Sequence, residues 1–224
     1  MMRAELSVVI PTLNAASTLP GCLAALFEGL EAGLIRELVI SDGGSSDATR
    51  AIADAAGAIW IEGAASRGGQ LRRGAEAAGG AWLLFVHADT RLAPGWSKAA
   101  RIGIQQGNPG YFRLRFDAQG MAPRLVALWA NLRSALFALP YGDQGLLISR
   151  AEYDAVGGVP DIPLMEDVAM ARVLGRRLHR LDGIALTGAE KYQRDGWLRR
   201  GSRNLRTLWR YFRGVDPERL RRDY

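Results

Sequence analysis

Short, nearly continuous apolar runs alternate with longer stretches of helical period through the first half of the chain. Residues 6–10 (LSVVI), 37–40 (ELVI), 59–61 (IWI) and 82–86 (WLLFV) are too short for helices and rich in β-branched side chains, the pattern of strands buried on both faces. Between them, residues 19–30, 48–56 and 69–78 read as helices. The βαβαβ order predicts an α/β fold with a Rossmann-like, mostly parallel sheet and helices on both faces. Beyond about residue 110 the character changes. Residues 111–116 (YFRLRF) alternate like a half-exposed strand, 123–139 read as an amphipathic helix, 144–148 as another strand, 164–174 as a helix with acids at its start, and 197–212 as a basic helix. No repeat, low-complexity run or linker interrupts the 224 residues, which predicts one domain over 1–224.

Composition narrows the class. A single cysteine, Cys22, cannot form an internal disulfide, and two histidines, His87 and His179, leave no Cys/His zinc constellation. With 48% apolar and 23% charged residues the chain has the balance of a globular protein. The first apolar run stops at Pro11, short of a leader core, and the most apolar long window, 125–139, contains Asn131 and Arg133. Neither suits a membrane span, so a cytoplasmic protein is expected. The net charge of +6 is concentrated at one end: residues 191–224 carry 11 Lys/Arg against 4 Asp/Glu, which leaves residues 1–190 at −1.

Ligands of open α/β sheets bind beyond the carboxyl ends of the strands, and here those ends are small and polar. Pro11, Thr12 and Asn14 follow the first strand, the SDGGSSD segment 41–47 the second, Glu62 to Arg67 the third, and His87-Ala88-Asp89 the fourth. Four strand ends are thus expected around one crevice. The glycines of SDGGSSD, Gly44 among them, would let a ligand approach the backbone, with Ser45 or Ser46 capping the next helix; an ordinary capped turn uses the same residues. Asp89 reads either as a turn cap before Pro94 or as an oxygen ligand for Mg²⁺ or Mn²⁺. Glu166 and Asp167 read either as complements of a helix dipole or as chemistry-bearing acids. Neither GxGxxG nor GxxxxGK[ST] is present, which counts against dinucleotide and P-loop enzymes.

Taken together, SVVIPTLN, VISDGGSSDAT, FVHADT and LMED resemble the family-2 glycosyltransferases of the glycosyltransferase A fold, over nearly the whole chain. The resemblance implies a nucleotide-binding half over 1–110, an acceptor-side half over 111–190 and a basic helical segment over 191–224. It implies inverting, metal-assisted transfer of a sugar from a nucleotide diphosphate sugar to a hydroxyl acceptor. Pro11, Thr12, Asn14, Asp42, Gly44, Arg67 and His87 would then contact the nucleotide, with Asp42 on the base and His87 on the ribose. Asp89 inherits the ligand position for Mg²⁺ or Mn²⁺, while His87 stands where the family places a first aspartate. Glu166 and Asp167 fall on the family's catalytic acid motif, Asp167 as base. Asp143, Gln144 and Lys191 fall on the acceptor side. GDQG at 142–145 and the tail GVDPERLRRDY resemble a small bacterial subfamily with some members associated with arsenosugar biosynthesis.

Two other classes remain to be weighed. A binding or scaffolding protein of the same fold is the alternative suggested by His87. The arginine-rich tail lacks the aromatic platforms of a nucleic-acid motif, so no nucleic-acid partner is expected. In that tail Arg199, Arg203, Arg206, Arg210 and Arg213 share one helical face and Leu198, Leu205, Leu208 and Phe212 form an apolar stripe. Such a helix either touches an anionic lipid surface or packs its aromatics on the sheet and leaves its arginines solvated.

Overall fold

The computed structural model describes residues 4–223. Strands β1 (Leu6–Thr12), β2 (Ile35–Asp42), β3 (Ile59–Glu62) and β4 (Trp82–Phe85) run parallel, with Val8 of β1 in register with Leu38 on one side and Leu84 on the other. Helices α1 (Leu19–Glu31), α2 (Thr49–Ala55) and α3 (Arg67–Ala77) are the crossovers. Alternation within each strand divides the core in two. Leu6, Val8 and Ile10 pack with Leu19, Cys22 and Leu26 of α1, whereas Val9 points to the opposite layer and meets Leu71 and Ala75 of α3. Both faces of β1 are therefore covered, which is why its run is apolar without a break.

After β4 come β5 (Thr90–Leu92), α4 (Trp96–Gln106), β6 (Gly110–Phe116), α5 (Met121–Phe137), β7 (Leu146–Ser149), α6 (Arg150–Ala155), α7 (Glu166–Leu174) and β8 (His179–Thr187). The described strands form one eight-stranded sheet in the order β3-β2-β1-β4-β7-β6-β8-β5. Strand β7 lies antiparallel to both β4 and β6, while β6 and β8 are parallel. The parallel character expected for the whole sheet holds in the first half, and the second half is mixed. Strands β5 and β8 and helix α4 are additions to the pattern read from the sequence. Gln144 lies in a short 3-10 turn ahead of β7 instead of in the strand.

The tail folds back as α8 (Glu190–Asp195), α9 (Trp197–Phe212) and α10 (Pro217–Asp223). Leu208 and Leu220 pack on Leu164, Met165 and Val168, and Trp197 and Tyr192 pack on Phe116. Asp195 joins α8 to α9 by accepting from Arg194 at 2.8 Å and Arg200 at 2.7 Å. The tail thus covers part of the crevice mouth, with Arg221 of α10 reaching its lining.

Candidate active site

A crevice of about 510 Å³ opens at the carboxyl ends of β1 and β4, lined by Pro11, Thr12, Asn14, Arg67, His87 and Asp89. Three of the four expected strand ends reach it. The loop after β2 stands behind its wall. Asp42 is fully buried, and its two carboxylate oxygens accept from Thr12 Oγ1 (2.6 Å), Ser45 Oγ (2.6 Å), Ser45 N (2.6 Å) and Gly44 N (2.8 Å). A carboxylate has about four lone-pair sites, so the loop itself takes them up. The expected direct contact of Asp42 and Gly44 with a nucleotide gives way to a supporting role, because neither lines the crevice. Burial works to raise the Asp42 titration, but the bonds from Ser45, Thr12 and Gly44 outweigh it and hold the group below its ordinary value.

The loop is tied to β1 as well. Asn14, in the left-handed region at φ 50°, donates its N–H to Ser45 Oγ at 2.7 Å and accepts from Ser46 N at 2.9 Å. Asparagine tolerates that conformation better than most residues. Neither serine caps α2, contrary to expectation. Asp47 does so, accepting from Thr49 N at 3.0 Å. Gln70, which sequence reasoning did not single out, is buried and donates to Thr12 O (2.7 Å) and Ser41 O (3.1 Å), locking α3 to the ends of β1 and β2. Ser66 caps α3 and Gly68 lets its first turn approach the 160–162 loop, where a Cβ would lie 2.1 Å from Pro160 O. Ser66 and Arg67 consequently present the amino end of α3 to the crevice, a position suited to an anion.

A second cleft, of about 180 Å³, opens on the other side of the same residues. Its walls come from β6, α5, α8 and α9, with Asp143 and Asp167 at the inner end. Arg67, His87, Asp89, Gly188 and Lys191 line both cavities. Asp89 is partly exposed and lies 3.8 Å from Lys191 Nζ; it pairs with this lysine instead of capping a turn.

The position of Asp167 follows from the start of α7. Met165 adopts a left-handed conformation (φ 69°, ψ 18°) that precedes the helix, which therefore begins two residues later than the apolar pattern suggests. Asp167 Oδ2 accepts from Gly142 N at 2.7 Å and Oδ1 from Val168 N at 2.7 Å, fixing the carboxylate at the cleft wall. A side chain at position 142 would put Cβ 2.5 Å from the His87 ring, so glycine is what lets histidine and aspartate share this corner.

Glu166, next in the chain, turns inward and is fully buried, with Arg67 Nε at 3.7 Å and no hydrogen bond to either oxygen. Burial pushes it up to about 7, Asp167 adds to the shift and Arg67 opposes it. Burial likewise raises Asp143 to about 6, against Arg133 and with help from Asp167 and Asp89. His87 is lowered to about 4 by burial and then by Arg67, despite Asp89 and Asp167, and is a neutral imidazole at pH 7. Beneath it the buried Cys22 thiol faces His87 O at 3.6 Å, and burial raises it to about 12, so it is no nucleophile.

Gln144 does not reach the acceptor side. It is fully buried, donates to Phe112 O at 3.0 Å and accepts from Ser134 Oγ at 2.7 Å. Of the three residues expected there, Asp143 and Lys191 line the second cleft and Gln144 holds its frame. Among the described residues no group of three or more His, Cys, Asp or Glu side chains is placed to hold a metal ion.

The same fold is found in glucosyl-3-phosphoglycerate synthase from Mycobacterium tuberculosis, solved with Mn²⁺, uridine diphosphate and glucosyl-3-phosphoglycerate, at a TM-score of 0.56 and 22% identity over 82% of this chain and 70% of that one. S. aureus TarS 1-349, solved with UDP, aligns at a TM-score of 0.59 and 16% identity over 84% of this chain and 62% of that one. The architecture is therefore that of the glycosyltransferase A fold. Residues 7–117 match the family described as Glycosyl transferase family 2, and the chain belongs to that family. A PGL/p-HBAD biosynthesis glycosyltransferase of Mycobacterium bovis is 38% identical over 93 residues, a match that spans 38% of this chain and 36% of the relative.

Proposed function

We propose that the protein transfers a sugar from a nucleoside diphosphate sugar to a hydroxyl acceptor, with inversion at the anomeric carbon. The observation that carries this reading is the meeting of two cavities at one set of residues, Arg67, His87, Asp89 and Lys191, with Asp167 on the wall of the second. The larger crevice takes the nucleotide. Pro11, Thr12 and Asn14 line its far end, and neutral His87 offers a hydrogen bond to a ribose hydroxyl. Arg67 and Lys191 bring positive charge to the diphosphate, where charge develops as the anomeric bond breaks. The acceptor enters through the smaller cleft, and Asp167 takes the proton from its hydroxyl as that oxygen attacks. Attack from the acceptor cleft, with the diphosphate leaving into the donor crevice, inverts the anomeric centre.

The donor set fits a divalent cation shared with the donor's own phosphates. Asp89 supplies an oxygen beside His87, and Mg²⁺ and Mn²⁺ are commonly held by one or two carboxylates together with substrate phosphates. Bound there, Mg²⁺ or Mn²⁺ supplies charge to the departing diphosphate. Uridine diphosphate, present in the solved relatives, is the first nucleotide to test. Calorimetry should find UDP binding at least tenfold tighter with Mn²⁺ than in chelator, about 1.4 kcal/mol, and Asp89→Asn should abolish that difference. Equal binding under all these conditions removes the metal from the reading. Failure to bind UDP, GDP or dTDP at all overturns the donor assignment.

A further inference from the structure

Helix α5 is apolar on both sides. Ala127, Ala130 and Ser134 face inward, and Asn131 anchors the helix through Leu114 N (2.9 Å) and Leu114 O (3.0 Å). On the opposite side Leu125, Leu128, Leu132 and Leu136 stand 44–72% exposed. Soluble packing does not account for such a stripe.

Helix α9 repeats the pattern. Arg200, Thr207 and Leu208 are buried, while Leu198 (86%), Leu205, Trp209 (56%) and Phe212 are exposed. The stripe expected from the sequence is thus divided, with Leu208 turned into the core and Trp209 taking its place outside. Arg199, Arg206 and Arg213 are exposed beside that stripe, on its flank by helical spacing.

The two stripes meet at the acceptor cleft. Trp129 of α5 is 50% exposed, Leu205 of α9 is 42% exposed, and both line that cleft. Neither α5 nor α9 contains an acidic residue. That distribution discriminates between occupants. A second copy docked through this face would set arginine rows against one another with no acid on either helix to meet them. An anionic lipid surface satisfies both features at once, taking the leucines and tryptophans into its apolar boundary and the arginines at its headgroups. Among the described residues no helix is long and apolar enough to span a membrane, so the contact is interfacial.

We infer that the exposed face of α5 and α9 docks on an anionic bilayer, with the mouth of the acceptor cleft turned toward the lipid. Resting on the proposed transfer reaction, this assigns the acceptor to amphipathic molecules that present a hydroxyl from the membrane surface. The class follows from the cleft's mixed lining, polar at Asp143 and Asp167 and apolar at Trp129 and Leu205.

Vesicle flotation of the full chain tests the docking. Vesicles of phosphatidylcholine with roughly a third phosphatidylglycerol should carry the protein at low salt, and phosphatidylcholine alone should carry far less. Each neutralised arginine should lower the partition about fivefold, so that replacing Arg199, Arg206 and Arg213 together by glutamine lowers it about a hundredfold. Thermal melting of this variant should match the wild type, since all three side chains are exposed. Brominated lipid should quench tryptophan emission, and Trp129→Phe with Trp209→Phe should remove most of that quenching. No flotation on anionic vesicles, or quenching that survives both tryptophan replacements, overturns the inference. So does a stable dimer by light scattering that fails to float. UDP binding measured without lipid keeps the two proposals apart: a protein that binds UDP but no vesicle loses only the docking, and one that floats but binds no nucleotide loses only the transfer reaction.

Discussion

Asp42, beneath the donor crevice, and Glu166, behind the acceptor cleft, are both fully buried acids, yet their surroundings act on them in opposite directions. Four donors from the chain surround the Asp42 carboxylate and hold its titration down. Glu166 has no hydrogen bond and one guanidinium nitrogen at 3.7 Å, and burial raises it to about 7. Asp143 resembles Glu166, with Oδ1 lacking a partner and the group raised to about 6. The donor side is thus finished before a ligand arrives, its loop held by the protein's own bonds. The acceptor side keeps carboxylates whose charge is poorly compensated, and such groups gather where protons are moved. Rigid recognition on one side and unspent electrostatics on the other suit a reaction in which a nucleotide is held still while an acceptor is deprotonated.

The largest expected effect separates the two sides by function. Asp167→Asn should lower transfer by about 10² to 10⁴ while UDP affinity stays within twofold. Undiminished transfer in this variant, assayed by nucleotide release with a verified acceptor, removes Asp167 as the base. A smaller effect, on stability, probes the donor side. Asp42→Asn turns one acceptor oxygen into a donor facing backbone N–H groups, so urea unfolding should register a loss of about 1 to 3 kcal/mol. A variant of unchanged stability that loses UDP binding would return Asp42 to direct contact with the nucleotide.

The smallest effect concerns pH. An acid raised in the folded state binds its proton more tightly there, so the stability contributed by protonated Glu166 is complete below its ordinary value of 4.5 and is lost as pH rises toward about 7. Asp42 has the opposite sign, its contribution being present above 3.8 and lost as pH falls through its lowered value. Glu166→Gln should therefore flatten the decline in melting temperature between pH 5 and pH 8 by a few degrees, on the order of 2–4 °C per kcal/mol. An identical decline in the variant would place the uncompensated charge elsewhere, Asp143 being the next group to replace.

Much of the first half was legible from pattern. Residues 6–10, 59–61 and 82–86 read as strands because each is apolar on both faces, and the polar residues that follow them fall at the strand ends by the same logic. The second half was harder for a physical reason. Strand β8, HRLDGIALT, carries a glycine and two exposed residues at its start and is half-buried through its centre, so no clean period marks it; pairing with β6 and β5 makes it a strand. Gln70 and Arg221 gave no signal either, since a glutamine or arginine in a helix is ordinarily solvated, and only the fold brings them to the crevice.

By itself the sequence determined which side chains share a strand face or a helix face, because the backbone repeats at 2 and 3.6 residues whatever surrounds it. Those repeats place His87 and Asp89 after β4, Asp167 at the start of α7 and the arginines of α9 along one flank. Only the tertiary structure decided which faces found partners. It spent the oxygens of Asp42 on its own loop, turned Gln144 toward Phe112 and Leu208 into the core, and left Leu198, Trp209 and the outer leucines of α5 uncovered. Local geometry sets a direction for each side chain, whereas hydrogen bonding and burial depend on segments that arrive from 30 or more residues away, as Thr12 does for Asp42 and Phe112 for Gln144.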